Sequence, residues 1–165
     1  MSFSTQPTVV IVPGLRDHVP DHWQTILANK IADARTVPPL TNDRLSRDAQ
    51  VAALNAALSD ITGPVVLVAH SAGVMTTVHW AQRHRHPVKG ALLAAPPDFD
   101  TPLPEGYPTL EVLRKNGWTP TPRMPLSSPS VVVAVNGHRD AQVGGRWRPR
   151  LVAIRKPGVW PVVFL

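Results

Sequence analysis

The sequence predicts an α/β fold, a three-layer α/β/α sandwich with a mostly parallel sheet, and three observations support this prediction. Short runs that are apolar throughout alternate with longer segments of helical periodicity. Runs without apolar–polar alternation are typical of strands buried on both faces, as in a parallel sheet covered by helices. With 165 residues, of which 43% are hydrophobic, the chain is long enough for one domain with a substantial core.

The first strand and the first helix are predicted from the N-terminal part. Thr8–Val12 has the sequence TVVIV, and the Pro-Gly-Leu sequence at residues 13–15 is predicted to end this strand with a turn. Asp17 or Asp21 is predicted to cap the helix that follows. The predicted apolar face of this helix has four members at helical spacing: Trp23, Ile26, Leu27 and Ile31.

A short extended piece over residues 34–37 ends at two prolines and is predicted to precede the second helix. That helix is predicted to begin at Ser46, a residue type that caps helices well, and to stop before Gly63. Its predicted apolar stripe has four members: Val51, Leu54, Leu58 and Ile61.

The stretch over residues 64–75, PVVLVAHSAGVM, is where catalytic chemistry is predicted. Residues 65–69 form a continuously apolar strand, and residues 72–84 are predicted to be helical. A serine in a sharp turn between a buried strand and a helix is the setting of a nucleophile elbow, for which G-x-S-x-G is the usual pattern. The residues two before and two after Ser71 are alanine and glycine, both small enough for such a turn. The alternative is an ordinary serine cap on a helix.

The later elements continue the alternation of strand and helix. Strands are predicted over residues 88–95 and Val131–Val135. Between them, residues 98–129 are rich in proline and predicted to be irregular, with a short helix over residues 109–115. The C-terminal part of the fold is predicted to be incomplete or atypical, because residues 141–165 have no helical period and no capping signal.

An oxyanion hole can be proposed beside the serine. One donor would be the backbone N–H of Ala72, the residue after the predicted nucleophile. The other would be the N–H of Leu15, because Gly14 allows the loop after the first strand to approach closely. Gly14 is accordingly a candidate substrate-binding residue; its alternative role is a plain turn that ends the strand.

The base and the acid are harder to assign. A serine nucleophile needs a histidine oriented by a carboxylate, and the usual chain order after an elbow is serine, acid, histidine. No histidine follows His138, which comes after the last predicted strand, so that order cannot be completed. His138 is the candidate base and Asp140 the candidate acid. His22 and His70 are candidate substrate-binding residues, with helix packing as the alternative for His22.

Composition limits the kinds of function that fit. Cysteine is absent, which excludes disulfides and thiolate metal sites and fits a reducing cytoplasm. No apolar run reaches the length of a membrane span, and the N-terminus lacks the pattern of a secretory signal. The histidine spacing suggests no metal site, and no glycine-rich nucleotide loop is present, so no metal and no cofactor are expected. We expect a cytoplasmic protein that acts on a small molecule without a membrane partner.

The net charge of +6 is unevenly distributed along the chain. Residues 1–140 carry 12 Lys+Arg and all 11 acidic residues, whereas residues 141–165 carry five basic residues and no acid. We therefore predict one near-neutral domain over residues 1–140 and a basic, atypical tail over residues 141–165. Residues 146–150, RWRPR, interleave arginine with tryptophan as some single-strand binders do, but the tail is short and a nucleic-acid partner is not expected.

Four pieces taken together carry a family resemblance: the Pro13-Gly14 loop, the His-Trp-Gln piece at residues 22–24, the elbow, and the Ala-Ala-Pro-Pro-Asp piece at residues 94–98. Over residues 8–135 the chain resembles the small α/β-hydrolase-fold serine hydrolases related to retinoblastoma-binding protein nine. The resemblance implies an α/β-hydrolase-like fold without a large cap domain and a Ser-Asp-His triad, in which Ser71 matches the nucleophile.

The resemblance ends near residue 135. The family's acid usually stands in an Asn-Asp-Pro-like turn, whereas Asn136 is followed here by glycine and histidine. The family's late Gly-His turn and closing helix have no counterpart in this sequence. One interpretation of residues 136–165 is an altered reading frame of a GC-rich gene or a gene-model error; the other is a genuine divergent tail.

The predicted function is a serine hydrolase that cleaves a small ester, thioester or amide through a Ser71 acyl-enzyme. The alternative is a catalytically inactive hydrolase-fold binding protein, because the family's late acid and histidine are missing.

Overall fold

The computed structural model describes residues 6–16, 18–97, 102–120, 131–135 and 150–153. Six strands and four helices lie in this described part of the chain. In chain order they are β1 Thr8–Val12, α1 Trp23–Lys30, β2 Arg35–Thr36, α2 Arg47–Ser59, β3 Val65–His70, α3 Ala72–Arg83, β4 Val88–Ala94, α4 Leu110–Lys115, β5 Val131–Val135 and β6 Arg150–Ala153. The predicted α/β fold is confirmed.

The strands form a single sheet in the order β2-β1-β3-β4-β5-β6. The first five strands are parallel, and β6 pairs antiparallel with β5. From β1 the chain moves to β2 at the edge of the sheet, and from there back across β1 to β3. Right-handed crossovers therefore place α1 on one face of the sheet and α2 and α3 on the other. Ligands of open α/β sheets bind at the carboxyl ends of the strands beside such a reversal, here between β1 and β3.

The main core lies between the sheet and the helices α2 and α3. Apolar residues of three central strands fill the sheet side, and two helical stripes pack on them. The helical residues include Val51, Leu54, Leu58, Val74 and Val78. Full burial of each such side chain contributes about 1.5–3 kcal/mol of transfer free energy, so this face supplies much of the driving force for folding.

The structure confirms most of what the sequence predicts for the second helix. Ser46 is the N-cap of α2, and its Oγ accepts a hydrogen bond from the Ala49 N–H at 3.2 Å. The helix ends at Ser59, before the predicted stop at Gly63, so Ile61 lies beyond the helix although it is buried in the same core.

The first helix differs from its prediction at the cap and at the buried face. His22 is the N-cap, because its Nδ1 accepts the Gln24 N–H at 3.3 Å; Asp21 does not hold that position, and Asp17 lies outside the described residues. The buried member of the helix is Gln24, whereas two residues of the predicted apolar face are exposed, Trp23 at 36% and Ile26 at 44%.

A buried glutamine holds α1 on the sheet. The Nε2 group of Gln24 donates to the carbonyl oxygens of Val12 at 3.2 Å and Val68 at 3.0 Å. These carbonyls belong to β1 and β3, the two strands that flank the reversal of strand order. Because an unpaired polar group is costly to bury, the buried amide of Gln24 depends on these two hydrogen bonds. The side chain therefore ties α1 to the strand ends that carry the site.

The 102–120 segment is fastened to the domain by Trp118. This side chain packs with Met75 and Leu113, and its Nε1 donates to the Leu45 carbonyl at 2.7 Å. The Nε2 of buried His79 lies 3.1 Å from the Trp118 carbonyl oxygen. Thr109 caps α4 by accepting the Val112 N–H, as expected for the short helix predicted in this region.

The strands β5 and β6 complete the described sheet. The strand β6, Arg150–Ala153, was not predicted; it pairs with β5 as the last strand of the described sheet. A strand this short has too little periodicity to be recognised without its partner. The predicted boundary at residue 140 lies outside the described residues and stays a prediction, as does most of the 141–165 tail.

Candidate active site

Ser71 occupies the turn between β3 and α3, in the middle of the sheet. Its backbone angles are φ 52° and ψ −123°, in a region that residues with a side chain rarely adopt and that costs about 1–3 kcal/mol. Two hydrogen bonds hold this conformation: the Ser71 N–H donates to the Ala94 carbonyl at 3.0 Å, and the Val74 N–H donates to the Ser71 carbonyl at 2.9 Å. Ser71 occupies the N-cap position of α3, but its side chain makes no capping hydrogen bond, so the interpretation as an ordinary serine cap is wrong.

The small residues around Ser71 are required by close backbone approach. A Cβ at Gly73 would overlap the Val12 carbonyl oxygen and lie 2.6 Å from that of Pro13, so only glycine fits where α3 passes the end of β1. A Cβ at Gly14 would lie 3.3 Å from the Ser71 Cβ and 3.7 Å from its Oγ. The loop after β1 therefore lies directly against the serine hydroxyl.

Two backbone N–H groups are available near the hydroxyl. In the described part of the chain, neither the Leu15 N–H nor the Ala72 N–H donates a hydrogen bond. Ala72 is the first residue of α3, where N–H groups lack helical partners and the helix dipole favours negative charge. The Leu15 carbonyl accepts from Arg44 Nη2 at 3.0 Å, which orients the loop. The role of both groups as oxyanion donors stays a prediction.

A cavity of about 210 Å³ opens at the serine, which is room for a small substrate. Nine described residues line it: Gly14, Leu15, Arg16, Val19, His22, Gln24, His70, Ser71 and Tyr107. Five of them are predicted site residues, namely Gly14, Leu15, His22, His70 and Ser71. Sequence reasoning missed the other four; Arg16 directly follows the predicted oxyanion residue, which was the only available signal for it.

The two cavity histidines contact each other. The rings of His22 and His70 lie 4.6 Å apart, and Trp23 stands edge-on to His70 at 5.9 Å. Burial lowers the pKa of His70, and the nearby His22 lowers it further. The Nδ1 of His22 accepts the Gln24 N–H, so the proton of its neutral ring lies on Nε2. His22 therefore both caps α1 and lines the cavity.

The predicted base and acid, His138 and Asp140, lie outside the described residues, so their roles stay predictions. Within the described residues, no group of three or more histidine or acidic side chains could hold a metal ion. No described helix is both long and apolar enough to cross a membrane.

The sequence model of the family described as serine hydrolase matches residues 9–143. The chain belongs to the serine hydrolase family. The matched segment contains the Ser71 turn, α1 and every described residue that lines the cavity. Its end at residue 143 lies close to the predicted start of the atypical tail.

A solved structure supports the same assignment. The serine hydrolase chain resembles a crystal structure described as a YdeN-like hydrolase from Pectobacterium atrosepticum, with 26% sequence identity and a TM-score of 0.60. The similarity covers 79% of this chain and 63% of that one, so this chain spans less than two thirds of the length of its structural relative. No curated protein sequence matches the chain. The more specific resemblance to proteins related to retinoblastoma-binding protein nine stays a prediction.

Proposed function

We propose that the protein is a carboxylesterase-like serine hydrolase that cleaves a small ester, thioester or amide through an acyl-enzyme on Ser71. The observation that carries this proposal is the Ser71 turn itself. Its backbone is held in a costly conformation, and its hydroxyl faces a cavity instead of capping α3. Strain of this kind clusters at functional sites, and a strained turn between a strand and a helix supports the proposal of a nucleophile elbow. Membership of the serine hydrolase family supports hydrolysis as the kind of reaction.

The proposed reaction has two halves. The Ser71 Oγ attacks the substrate carbonyl as its proton passes to the base, and the carbonyl oxygen becomes an oxyanion that accepts from the Leu15 and Ala72 N–H groups. The leaving group departs with that proton, and the acyl group remains on Ser71. Water then attacks the acyl-enzyme, releases the acid and restores the hydroxyl. His138 with Asp140 is the proposed base and acid pair.

The test is labelling by a fluorophosphonate probe, which reacts only with an activated serine. Wild-type protein should be labelled, and Ser71→Ala should lose both labelling and 4-nitrophenyl butyrate hydrolysis, the latter on the order of 10³-fold or more. Ser59→Ala is the matched control, because this exposed serine on α2 only donates to the Asn55 carbonyl. Folded wild-type protein that is not labelled, or labelling that survives in Ser71→Ala, would refute the proposal.

One sequence observation favours a second candidate, an inactive hydrolase-fold binding protein. Residues 141–165 contain no histidine, so the order serine, acid, histidine is not met with Asp140 as the acid. This candidate predicts ligand binding in the cavity without turnover. The coding DNA separates the two interpretations of residues 136–165. An altered frame predicts that another frame encodes an Asp-Pro turn and a late Gly-His, and a genuine tail predicts neither.

A cytoplasmic location, suggested by the absence of cysteine, stays part of the proposal.

A further inference from the structure

We propose that Arg16 binds a carboxylate of the substrate, so that the preferred substrates are small acyl compounds carrying a negative charge. This inference rests on the proposed function, because it assigns the substrate class of the Ser71 site. Arg16 and Ser71 line the same cavity of about 210 Å³. A substrate that fits this space and places its carbonyl at Ser71 therefore lies within reach of Arg16.

Arg16 is the source of fixed charge in this cavity. Among the described residues that line it, Arg16 alone is permanently ionised; the other lining residues are apolar, amide, hydroxyl or imidazole groups. Burial lowers the pKa of His70, which favours its neutral ring at neutral pH. A site with one positive charge and no described carboxylate selects against cations and for anions.

The guanidinium is also available for a ligand. In the described part of the chain, ion pairs join Asp48 to Arg47 and to Arg83, whereas Arg16 has no carboxylate partner. Its contact is instead the ring of Tyr107, which lies 6.0 Å from its Cζ, at the outer limit of a cation–π interaction. A contact at this distance is weak and leaves the N–H groups of Arg16 able to donate to a ligand.

Two hydrogen bonds orient the loop that carries Arg16. The carbonyl of the preceding residue, Leu15, accepts from Arg44 Nη2, and the Arg44 carbonyl accepts from Gln50 Nε2 at 2.9 Å. The charged side chain is thus held one residue from the proposed oxyanion donor. A planar guanidinium binds a carboxylate through two parallel hydrogen bonds, so this position distinguishes a carboxylate from a neutral group of similar size.

The experiment compares two substrates that differ in one charge. They are the 4-nitrophenyl monoester of adipic acid and its methyl-capped diester, and the readout is the ratio of their kcat/KM values. Because Arg16 is exposed and screened, we expect Arg16→Gln to lower this ratio by about tenfold, and Arg16→Lys to lower it less. Raising the salt to about 0.5 M should reduce the wild-type ratio. Arg114→Gln removes the same charge from α4 and should leave the ratio unchanged.

A ratio in Arg16→Gln within about twofold of wild type would overturn the inference. An equal loss on both esters would also overturn it, because that result indicates oxyanion stabilisation instead of carboxylate recognition. The inference can be tested without turnover in Ser71→Ala, by comparing the binding of monomethyl and dimethyl adipate with and without Arg16→Gln. If the fluorophosphonate probe fails to label Ser71 but the monoanion still binds more tightly through Arg16, the proposed function fails, and of this inference only the binding of a carboxylate by Arg16 stands. Equal binding of the two adipates refutes the inference.

Discussion

The two faces of the sheet are held by different kinds of interaction. On the α2–α3 face, apolar side chains of both helices pack on the central strands in one continuous core. On the α1 face, the helix is tied to the strand ends by the hydrogen bonds of Gln24, while Trp23 and Ile26 remain exposed. The first face supplies stability through buried area, and the second supplies position at the site. Substitutions on the two faces should therefore have separable effects.

The largest expected effect is on the α2–α3 face. Leu54→Ala should lower the free energy of unfolding by about 2–5 kcal/mol, because Leu54 is fully buried in the core and its loss leaves a cavity. Ile26→Ala makes the same kind of truncation on α1, where the side chain is 44% exposed, and should cost less than about 0.5 kcal/mol. Urea unfolding of both variants gives the comparison. Equal losses would show that the α1 face is packed like the core.

An intermediate effect is expected where α1 is tied to the sheet. Gln24→Leu removes the donors to the Val12 and Val68 carbonyls and should cost about 1–3 kcal/mol. His22 caps α1 and lines the cavity beside Ser71, so a loosened α1 displaces a cavity residue. The variant should therefore also slow labelling of Ser71 in protein that is still folded. Asn29→Leu is the control, because it replaces an exposed amide on the same helix. A stability loss with unchanged labelling would limit Gln24 to a structural role.

The smallest expected effect is on the pH dependence of stability, and it involves one histidine near each face of the sheet. Burial is the main cause that lowers the pKa of both His70 and His79. The unfolded chain then binds more protons than the folded protein, so stability is complete above the ordinary histidine pKa of about 6.5 and falls as the pH drops through the lower folded values. His70→Gln and His79→Gln should each reduce the loss between pH 7.5 and 5.5 in urea unfolding. An unchanged pH dependence in both variants would contradict this expectation.

Much of the fold could be predicted from the sequence because local signals and burial agree there. The strand Thr8–Val12 is apolar after its first residue, and Ser46 caps the helix whose stripe enters the core. The small residues around Ser71 pointed to a tight turn, and Gly73 shows the reason, since a side chain would overlap the backbone at the end of β1. In these places the residue type alone indicates the local structure, because burial, capping or close backbone approach each requires that type of side chain.

The predictions were wrong where a polar residue is buried by partners distant in sequence. Helical periodicity placed Trp23 and Ile26 inside, but the buried position belongs to Gln24, whose partners are strand carbonyls. Arg16 and Tyr107 come from separate loops, and only the fold brings them to one cavity. No periodicity in a single segment contains that information.

The Ser71 turn is assembled from three separate parts of the chain. The Ala94 carbonyl accepts from the Ser71 N–H, and the backbone at the end of β1 lies against Gly73. Gly14 lies close to the Ser71 Cβ. These parts meet only when β1, β3 and β4 are paired in the sheet, so under the proposed function Ser71 becomes a nucleophile only in the folded chain. Reactivity toward a covalent probe would then report completed assembly, and the protein would carry its own chemical indicator of correct folding.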